Sequence, residues 1–506
     1  MSRVKIKIDG REIEAEDWMT IMQAAQSAGI EIPHFCYHPA LKVVATCRLC
    51  VVKIEGVPKL QTSCSTKVSD GMVVWTDTEE VRRARADALE FLLINHPLDC
   101  PQCEKAGECT LQDYVFKYGK PQSRFKEKKR DFGKRDISSK IKIRPNRCVL
   151  CTRCVRYAQD LLKTGGLCVV ERGGKANITV YPENGFEGDY TLNVTTLCPV
   201  GALIAKDWAY RARPVYLKVA GSVCPLCSMG CNVFLDLKGI EPVRVRPRKN
   251  LKVNYYWLCD YGYLSYKSFA LSEREIHALE RKNFSLVRGI QEKVIQNLCD
   301  FIKNHSKEIG VCVSPFLTNE EIIAIKEFGS SMGINSFYFI PPEYVKEHEN
   351  AWLLKAEKAP NMNGLRKILP SAKEISSAEE KIIAIFGWIM KDTSIPSRVE
   401  KIILVSNRIP ENLKEKVEFF IPEAGWAEKF GSWTNFEGRV QWLTNAIEPV
   451  GESVRIIDFI LFLSKALKVS LKFSSTEDLV KMVKEYFPEA EVEREIRDPV
   501  RKIGVR

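Results

Sequence analysis

Sixteen residues, fifteen Cys and one His, stand in four spaced groups within the first 260 positions of this 506-residue chain, and any fold must close around them. The groups are Cys36, Cys47, Cys50 and Cys64; His96, Cys100, Cys103 and Cys109; Cys148, Cys151, Cys154 and Cys198; and Cys224, Cys227, Cys231 and Cys259. Tight C-x2-C pairs in a large chain that opens MSRVKIKIDG, without the pattern of an export signal, point to metal ligation rather than disulfides. A reducing, cytoplasmic setting is the expectation. The apolar stretch Ile456 to Leu467 carries Asp458 and Lys465 and falls short of the roughly 20 apolar residues a spanning helix needs, so membrane contact is expected only through a partner.

Around the first set the pattern predicts strands over Val4–Ile8 and Glu12–Ala15 about an Asp9-Gly10 turn, a helix over Met19–Ala28, and a strand pair Cys50–Ile54 and Lys59–Thr62. Four thiols on a loop and a following strand suit a [2Fe–2S] cluster, although paired Cys also suit structural zinc. Helical spacing over Thr78–Ile94 delivers the chain to His96, where one His and three Cys could again hold zinc or iron. Between Lys117 and Arg147 thirteen Lys or Arg face three acids, Glu127, Asp131 and Asp136. That segment reads as a long exposed connection, with an acidic protein preferred over nucleic acid as its partner.

The third set carries a register. Two-cluster bacterial ferredoxins use C-x2-C-x2-C-x3-C-P twice, with the fourth Cys serving the other cluster. Here Ala158 stands at the fourth position of the first run, and Gly188, Thr191 and Val194 stand where the second run would place its first three Cys before Cys198-Pro199. Loss of every ligand of one cluster leaves Cys148, Cys151, Cys154 and Cys198 as a complete [4Fe–4S] set. The spacing of Cys224, Cys227, Cys231 and Cys259 also suits [4Fe–4S], on short strands expected at Val233–Asp236 and Pro242–Val245. Cys168, Cys299 and Cys312 lie outside every set.

The order of the four sets, with His34-Phe35-Cys36-Tyr37-His38-Pro39, Cys47-Arg48-x-Cys50, His96-Pro97-x-Asp99-Cys100-Pro101, Cys154-Val155-Arg156 and Cys198-Pro199-Val200-Gly201-Ala202-Leu203, resembles the large iron–sulfur subunit family of bacterial NADH:quinone oxidoreductase, respiratory complex I. The resemblance covers about residues 4 to 271. It implies one [2Fe–2S] cluster at the first set, three [4Fe–4S] clusters at the others, and a fourth cluster that lies off the main electron path. It also implies FMN and NADH on a partner subunit, with a small [2Fe–2S] subunit and quinone-side peripheral-arm subunits as further partners. Electron-transfer subunits of NAD-linked hydrogenases or formate dehydrogenases are the alternative, and hydrogenase subunits share the first three sets.

From Cys224 the chain resembles the molybdopterin oxidoreductases, through Trp257-Leu258-Cys259-Asp260-Tyr261-Gly262, Asn361-Met362-Asn363-Gly364 and the run from Glu428 to Gln441. Tyr261 stands where catalytic members usually have Lys, and no downstream Cys offers a molybdenum-ligand motif, so no molybdopterin is expected; Gly431 and Gly438 are read as turn glycines. Strand-like Ile309–Val313, Ser336–Ile340, Lys381–Ile385 and Lys401–Val405, with helix-like Asn319–Met332, predict a parallel α/β layer. No G-x-G-x-x-G or G-x4-G-K-[ST] motif occurs, so no nucleotide site is expected. The fold expectation is therefore multidomain α+β and α/β: a ferredoxin-like β-grasp domain at 1–78, a helical His/Cys cluster domain at 79–120, a basic connection and bacterial-ferredoxin-like domain at 121–216, a molybdopterin-oxidoreductase-type cluster domain at 217–271, and a shortened molybdopterin-oxidoreductase-like α/β domain at 272–506.

Overall fold

The alternating N-terminal residues form β1 (Arg3–Ile8) and β2 (Arg11–Glu16), antiparallel with Arg3 opposite Glu16. Ile6, Ile8, Ile13 and Ala15 all reach the buried face, while Asp9 and Gly10, at φ of 49° and 80°, make the left-handed hairpin turn. α1 (Ile21–Ser27) begins later than its periodicity suggests, because Thr20 and Gln23 exchange hydrogen bonds as a capping box. β3 (Val51–Ile54), β4 (Gln61–Thr62) and β5 (Val73–Trp75) complete a sheet of order β2-β1-β5-β3-β4, with β5 parallel to β1. α2 (Glu79–Leu93) is tied to it by the buried Arg85, whose guanidinium donates to Leu49 O and Val51 O at 3.2 and 3.1 Å. α3 (Thr110–Tyr118) packs against α2.

The computed structural model describes residues 2–180, 185–349, 351–389, 393–488 and the backbone of 501–502, in two units divided at Leu217 and Lys218. The expected last boundary, Arg506, lies outside the described residues.

The basic segment is exposed over residues 120–128, as expected, but several of its cations have partners within the chain. Lys120 binds Asp87 and Glu90 at 2.7 and 3.1 Å, Arg124 forks onto Glu90, and Lys129 donates to Leu93 O and Ile94 O. Asp87 and Glu90, which pair with Lys120 and Arg124, belong to α2 of this same chain. β6 (Arg135–Asp136) and β7 (Ile141–Ile143) arise within it. After α4 (Arg153–Arg156) come the hairpin of β8 (Leu167–Val170) and β9 (Asn177–Val180), then α5 (Asn193–Leu197) and β10 (Leu203–Ala205), which pairs antiparallel with β7. Ala158, Thr191 and Val194, the positions of the missing second-cluster ligands, are fully buried.

The second unit opens with antiparallel β11 (Lys218–Val223), β12 (Asn232–Lys238) and β13 (Glu241–Pro247), followed by α6 (Asp260–Leu264). An eight-stranded sheet follows, built from β14 (Leu279–Lys282) and β15 (Ser285–Arg288), α7 (Gln291–His305), β16 (Ile309–Val313), α8 (Asn319–Ser331), β17 (Phe337–Phe339), α9 (Met362–Ile368), β18 (Lys373–Glu374), β19 (Ile382–Phe386), β20 (Lys401–Ser406) and β21 (Val417–Pro422). Its order is β15-β14-β21-β20-β19-β16-β17-β18, with the six strands from β21 to β18 parallel. Burial on both faces explains the continuous apolar runs: every residue of β16 and β19 is buried. The hairpin β22 (Gly431–Thr434) and β23 (Val440–Leu443), then α10 (Ile456–Leu467) and α11 (Thr476–Tyr486), cover α8, and β24 (Arg501–Lys502) pairs with β11. No helix among the described residues is long and apolar enough to cross a membrane.

The N-terminal end of α8 anchors a buried polar knot. Glu320 accepts from Ser432 N and Oγ at 2.7 and 2.9 Å, and Asn319 donates to Ser432 Oγ and Thr434 Oγ1. Lys429 binds Glu321 at 3.1 Å and Glu423 at close range. Gly438 takes a left-handed turn at φ 82°, as its sequence context predicts, but Gly431 does not serve a turn. It begins β22 at φ 142°, and a Cβ there would stand 2.7 Å from Thr318 and Glu320 side-chain atoms. Burial lifts the Glu320 carboxyl to about 7 from 4.5. A raised folded value means its contribution to stability is complete below the unfolded value and is lost as pH rises through the folded one. Denaturation of wild type and Glu320→Gln at a series of pH values should isolate this contribution: relative to wild type the variant should gain on the order of 3 kcal/mol between about pH 4.5 and 7.

Candidate metal centres

Cys36, Cys47 and Cys50 lie on the loop between α1 and β3, and Cys64 follows β4; Cys36, Cys50 and Cys64 are fully buried. Arg48 within the C-x2-C turn takes φ of 58°, so the backbone curls tightly around the sulfurs, and Phe35 N donates to Cys47 Sγ at 3.3 Å. The thiols are near enough to share protons, Cys36 with Cys47 and Cys64, and Cys50 with Cys64. Accepting those bonds holds Cys36 well below the usual thiol range, while Cys64, donating to Cys36 and Cys50, is pushed far above it. All four members of the first set are thus together.

In the second set Cys103 and Cys109 are within electrostatic reach of each other, and burial raises the first and pushes the second up to about 11. Cys100 is exposed on a short turn, and His96 faces Asp99 and Arg147. Burial lowers His96 to about 4, which keeps the ring neutral, and its Nδ1 is buried without a hydrogen-bond partner. A neutral imidazole with an idle buried nitrogen suits a metal donor.

The third set surrounds a cavity of about 20 Å³ lined by Cys148, Cys151, Cys154 and Cys198 with apolar neighbours such as Ile143 and Leu203. Leu150 and Thr152, at φ of 51° and 57°, wrap the chain, and Leu150 N donates to Cys148 Sγ at 3.3 Å. Burial, reinforced by the neighbouring thiols, pushes Cys148 and Cys154 far above the usual range, and burial pushes Cys151 up to about 11. In the fourth set Cys224 and Cys231 close the β11–β12 turn through Cys224 N to Cys231 O at 2.8 Å, and the Cys259 sulfur caps α6 by accepting from Gly262 N. Burial lifts Cys259 to about 12. Tyr261 beside it is half exposed, its ring 6.2 Å from that of His348.

Among the described residues no three His, Cys, Asp or Glu side chains converge on one metal-ion position. A polynuclear group, with its donors on different irons, does not require such convergence. The donor chemistry fits iron–sulfur clusters: the thiols that burial raises, such as Cys109, Cys151 and Cys259, carry protons that bound metal would displace.

Contacts between the first three sets were not legible in the sequence. Arg147, fully buried one residue before Cys148, binds Asp99 before Cys100 at 3.0 and 3.1 Å and Glu104 after Cys103 at 2.9 Å. Arg144 reaches the same Glu104 at 2.7 Å. A Cβ on Gly201 would stand 2.4 Å from Cys103 Sγ, and Thr110 N donates to Pro199 O at 3.1 Å. Toward the first set, Arg156 donates to Cys36 O at 2.5 Å and to Cys151 O at 3.2 Å, and Arg153 to Tyr37 O at 2.6 Å. His34 N also donates to the Tyr114 hydroxyl of α3. The only advance signal was a set of arginines beside cysteines.

The molybdopterin-like motifs hold the fourth loop. Asn435 Nδ2 donates to Met229 O at 3.2 Å, Gln441 Nε2 to Gly230 O at 2.9 Å, and Phe436 N to Ser228 O at 2.8 Å, while Asn363 binds Asn435 O. Asn435→Ala should free the Cys227–Cys231 loop at a cost of about 1–3 kcal/mol. The expected readout is selective loss of any EPR signal from the fourth set, with signals from the other three sets retained.

Family models match four segments: "2Fe-2S iron-sulfur cluster binding domain" over 1–79, "NADH-ubiquinone oxidoreductase-G iron-sulfur binding region" over 85–124, "NADH-quinone oxidoreductase subunit 3, ferredoxin-like domain" over 138–204, and "Molybdopterin oxidoreductase Fe4S4 domain" over 217–270. The chain is 38% identical over 335 residues to the G subunit of the NADH-quinone oxidoreductase of Rickettsia felis, covering 66% of this chain and 50% of that protein. It is 37% identical to the NADH-ubiquinone oxidoreductase 75 kDa subunit of Reclinomonas americana, covering 66% and 49%. A solved structure of an NAD+-reducing [NiFe]-hydrogenase in the H2-reduced state matches at 32% identity and a TM-score of 0.38, over 42% of this chain and 91% of that one. The chain spans about half the length of the curated relatives it matches. Iron–sulfur domains of mixed α/β content, in this order and with this identity, establish that the chain belongs to the family of the large iron–sulfur subunit of NADH-quinone oxidoreductase.

Proposed function

We propose that this chain relays single electrons within an NADH:quinone oxidoreductase, from a flavin on a partner subunit towards quinone. The observation that carries this reading is the direct contact between the ligand loops of the first three sets, all within one unit. Such contact makes each step between sites short.

Bound clusters would supply one-electron redox chemistry, which NADH, a hydride donor, can feed only through a flavin. One [2Fe–2S] would be held by Cys36, Cys47, Cys50 and Cys64, and [4Fe–4S] groups by the other three sets. The chain's own residues then exclude water, fix the spacing, and tune potential through donors to sulfur such as Phe35 N, Leu150 N and Gly262 N. A neutral His96 in place of a thiolate would raise the potential of its site. The domain limits read from sequence, at 78, 120, 216 and 271, remain our assignment. We assign the fourth set and the eight-stranded sheet to scaffolding without molybdopterin, because Asn361, Asn363, Thr434 and Asn435 are spent on internal hydrogen bonds. Association with the membrane would come through partner subunits, among them the flavin- and NADH-binding subunit, a small [2Fe–2S] subunit and the quinone-side subunits.

The test is to purify the chain with its natural partners and add NADH under EPR observation. Signals from the first three sites should appear within turnover and reoxidise on adding quinone. Reduction by hydrogen or formate but not by NADH would overturn the reading.

A further inference from the structure

The Arg156 guanidinium joins the ligand loops of two different sets. Its Nη2 donates to two carbonyls, Cys36 O at 2.5 Å and Cys151 O at 3.2 Å, which belong to ligands of two different sets. Nη1 donates to Lys42 O at 2.5 Å and Nε to Thr152 Oγ1 at 3.3 Å, so the plane of the group is fixed on every side. Arg156 is 7% exposed, and Cys36 and Cys151 are 1% and 7% exposed, so water is kept from the junction. The neighbouring arginine is built differently: Arg153 reaches Tyr37 O and, at 3.4 Å, Leu197 O, neither of which belongs to a ligand residue.

We propose, on the basis of the relay function above, that Arg156 is the electronic and electrostatic bridge between the first and third sites. Electronic coupling decays more slowly through covalent and hydrogen bonds than across empty space. From Cys36 Sγ the path runs through that residue's own bonds to its carbonyl, through Nη2, and back through the Cys151 carbonyl to its sulfur. Arg156 passes one electron along it: the donor side is oxidised by one electron and the acceptor side is reduced by one. No covalent bond forms or breaks, and no proton leaves the guanidinium, which stays charged at any working pH. Its positive charge also favours the reduced form on both sides, where sulfur ligation concentrates negative charge.

Two variants separate the roles. Arg156→Lys keeps the charge but ends about one bond short of Nη2, whereas Arg156→Gln removes charge and reach together. In the full-length holo chain, one-electron pulse reduction followed by freeze-quench EPR reads exchange between the two sites, and redox titration reads their potentials. Arg156→Gln should lower both potentials and slow the exchange severalfold; Arg156→Lys should restore the potentials and leave the exchange slow. A residue that only fastens α4 to the first loop would give no such split. Wild-type exchange in Arg156→Gln with both clusters present overturns the proposal, and if that variant loses a cluster, wild-type exchange in Arg156→Lys overturns it. Absence of either cluster from the unmodified holo chain would instead overturn the relay reading itself.

Discussion

Arg147→Met should destabilise the folded chain by about 1–3 kcal/mol, because it strips the charged hydrogen-bond donor from between buried Glu104 and half-exposed Asp99. Glu104 is 4% exposed and would keep only Arg144; Asp99, half exposed, would lose its forked partner. The loss falls on both neighbouring sites, since Asp99 and Glu104 flank the Cys100–Cys103 turn and Arg147 itself leads into Cys148. Chemical denaturation should show the lowered midpoint, and EPR should show the His96 site's signal broadened or lost. Arg147→Lys should recover only part of this, because one ammonium cannot reproduce a fork shared by two carboxylates. An unchanged midpoint in Arg147→Met would show that the network contributes nothing to holding the two loops together.

Cys154→Ser should have the largest effect on function. Cys154 is buried and its thiol sits against Cys148, Cys151 and Cys198, so its removal leaves the third set one donor short. On the proposed relay, the expected result is loss of that site's signal and collapse of NADH-driven reduction at the sites beyond it, while the first site still reduces. The first site has its own four thiols and its own sheet, so its signal should persist. Retained quinone reduction at the wild-type rate would contradict a series arrangement through the third set.

The grouping of the cysteines was legible because tight C-x2-C spacing stands out in sequence, and the fold brings the thiols of the first set together and those of the third set around one cavity. The Ala158, Gly188, Thr191 and Val194 register was legible for the same reason, and three of those four positions are closed core. The parallel strands were legible because burial on both faces writes continuous apolar runs such as Ile382–Phe386. What sequence could not show was use of charge across long separations. Lys120 and Arg124 look like a free basic surface until α2 supplies Asp87 and Glu90. Arg147 and Arg156 look like ordinary basic residues until the fold brings Asp99, Glu104 and the Cys36 carbonyl to them from 43 to 120 residues away. Gly431 looks like a turn glycine in sequence, yet a close approach to Thr318 and Glu320, not a reversal, demands it.

The most direct test of the central claim is metal and sulfide analysis of the anaerobically purified full chain, with EPR on the reduced protein. Four occupied sets predict about 14 iron and 14 acid-labile sulfide per chain, one [2Fe–2S] and three [4Fe–4S] signals, and no stoichiometric molybdenum or zinc. A colourless protein carrying zinc without sulfide, or one carrying stoichiometric molybdenum, would contradict it.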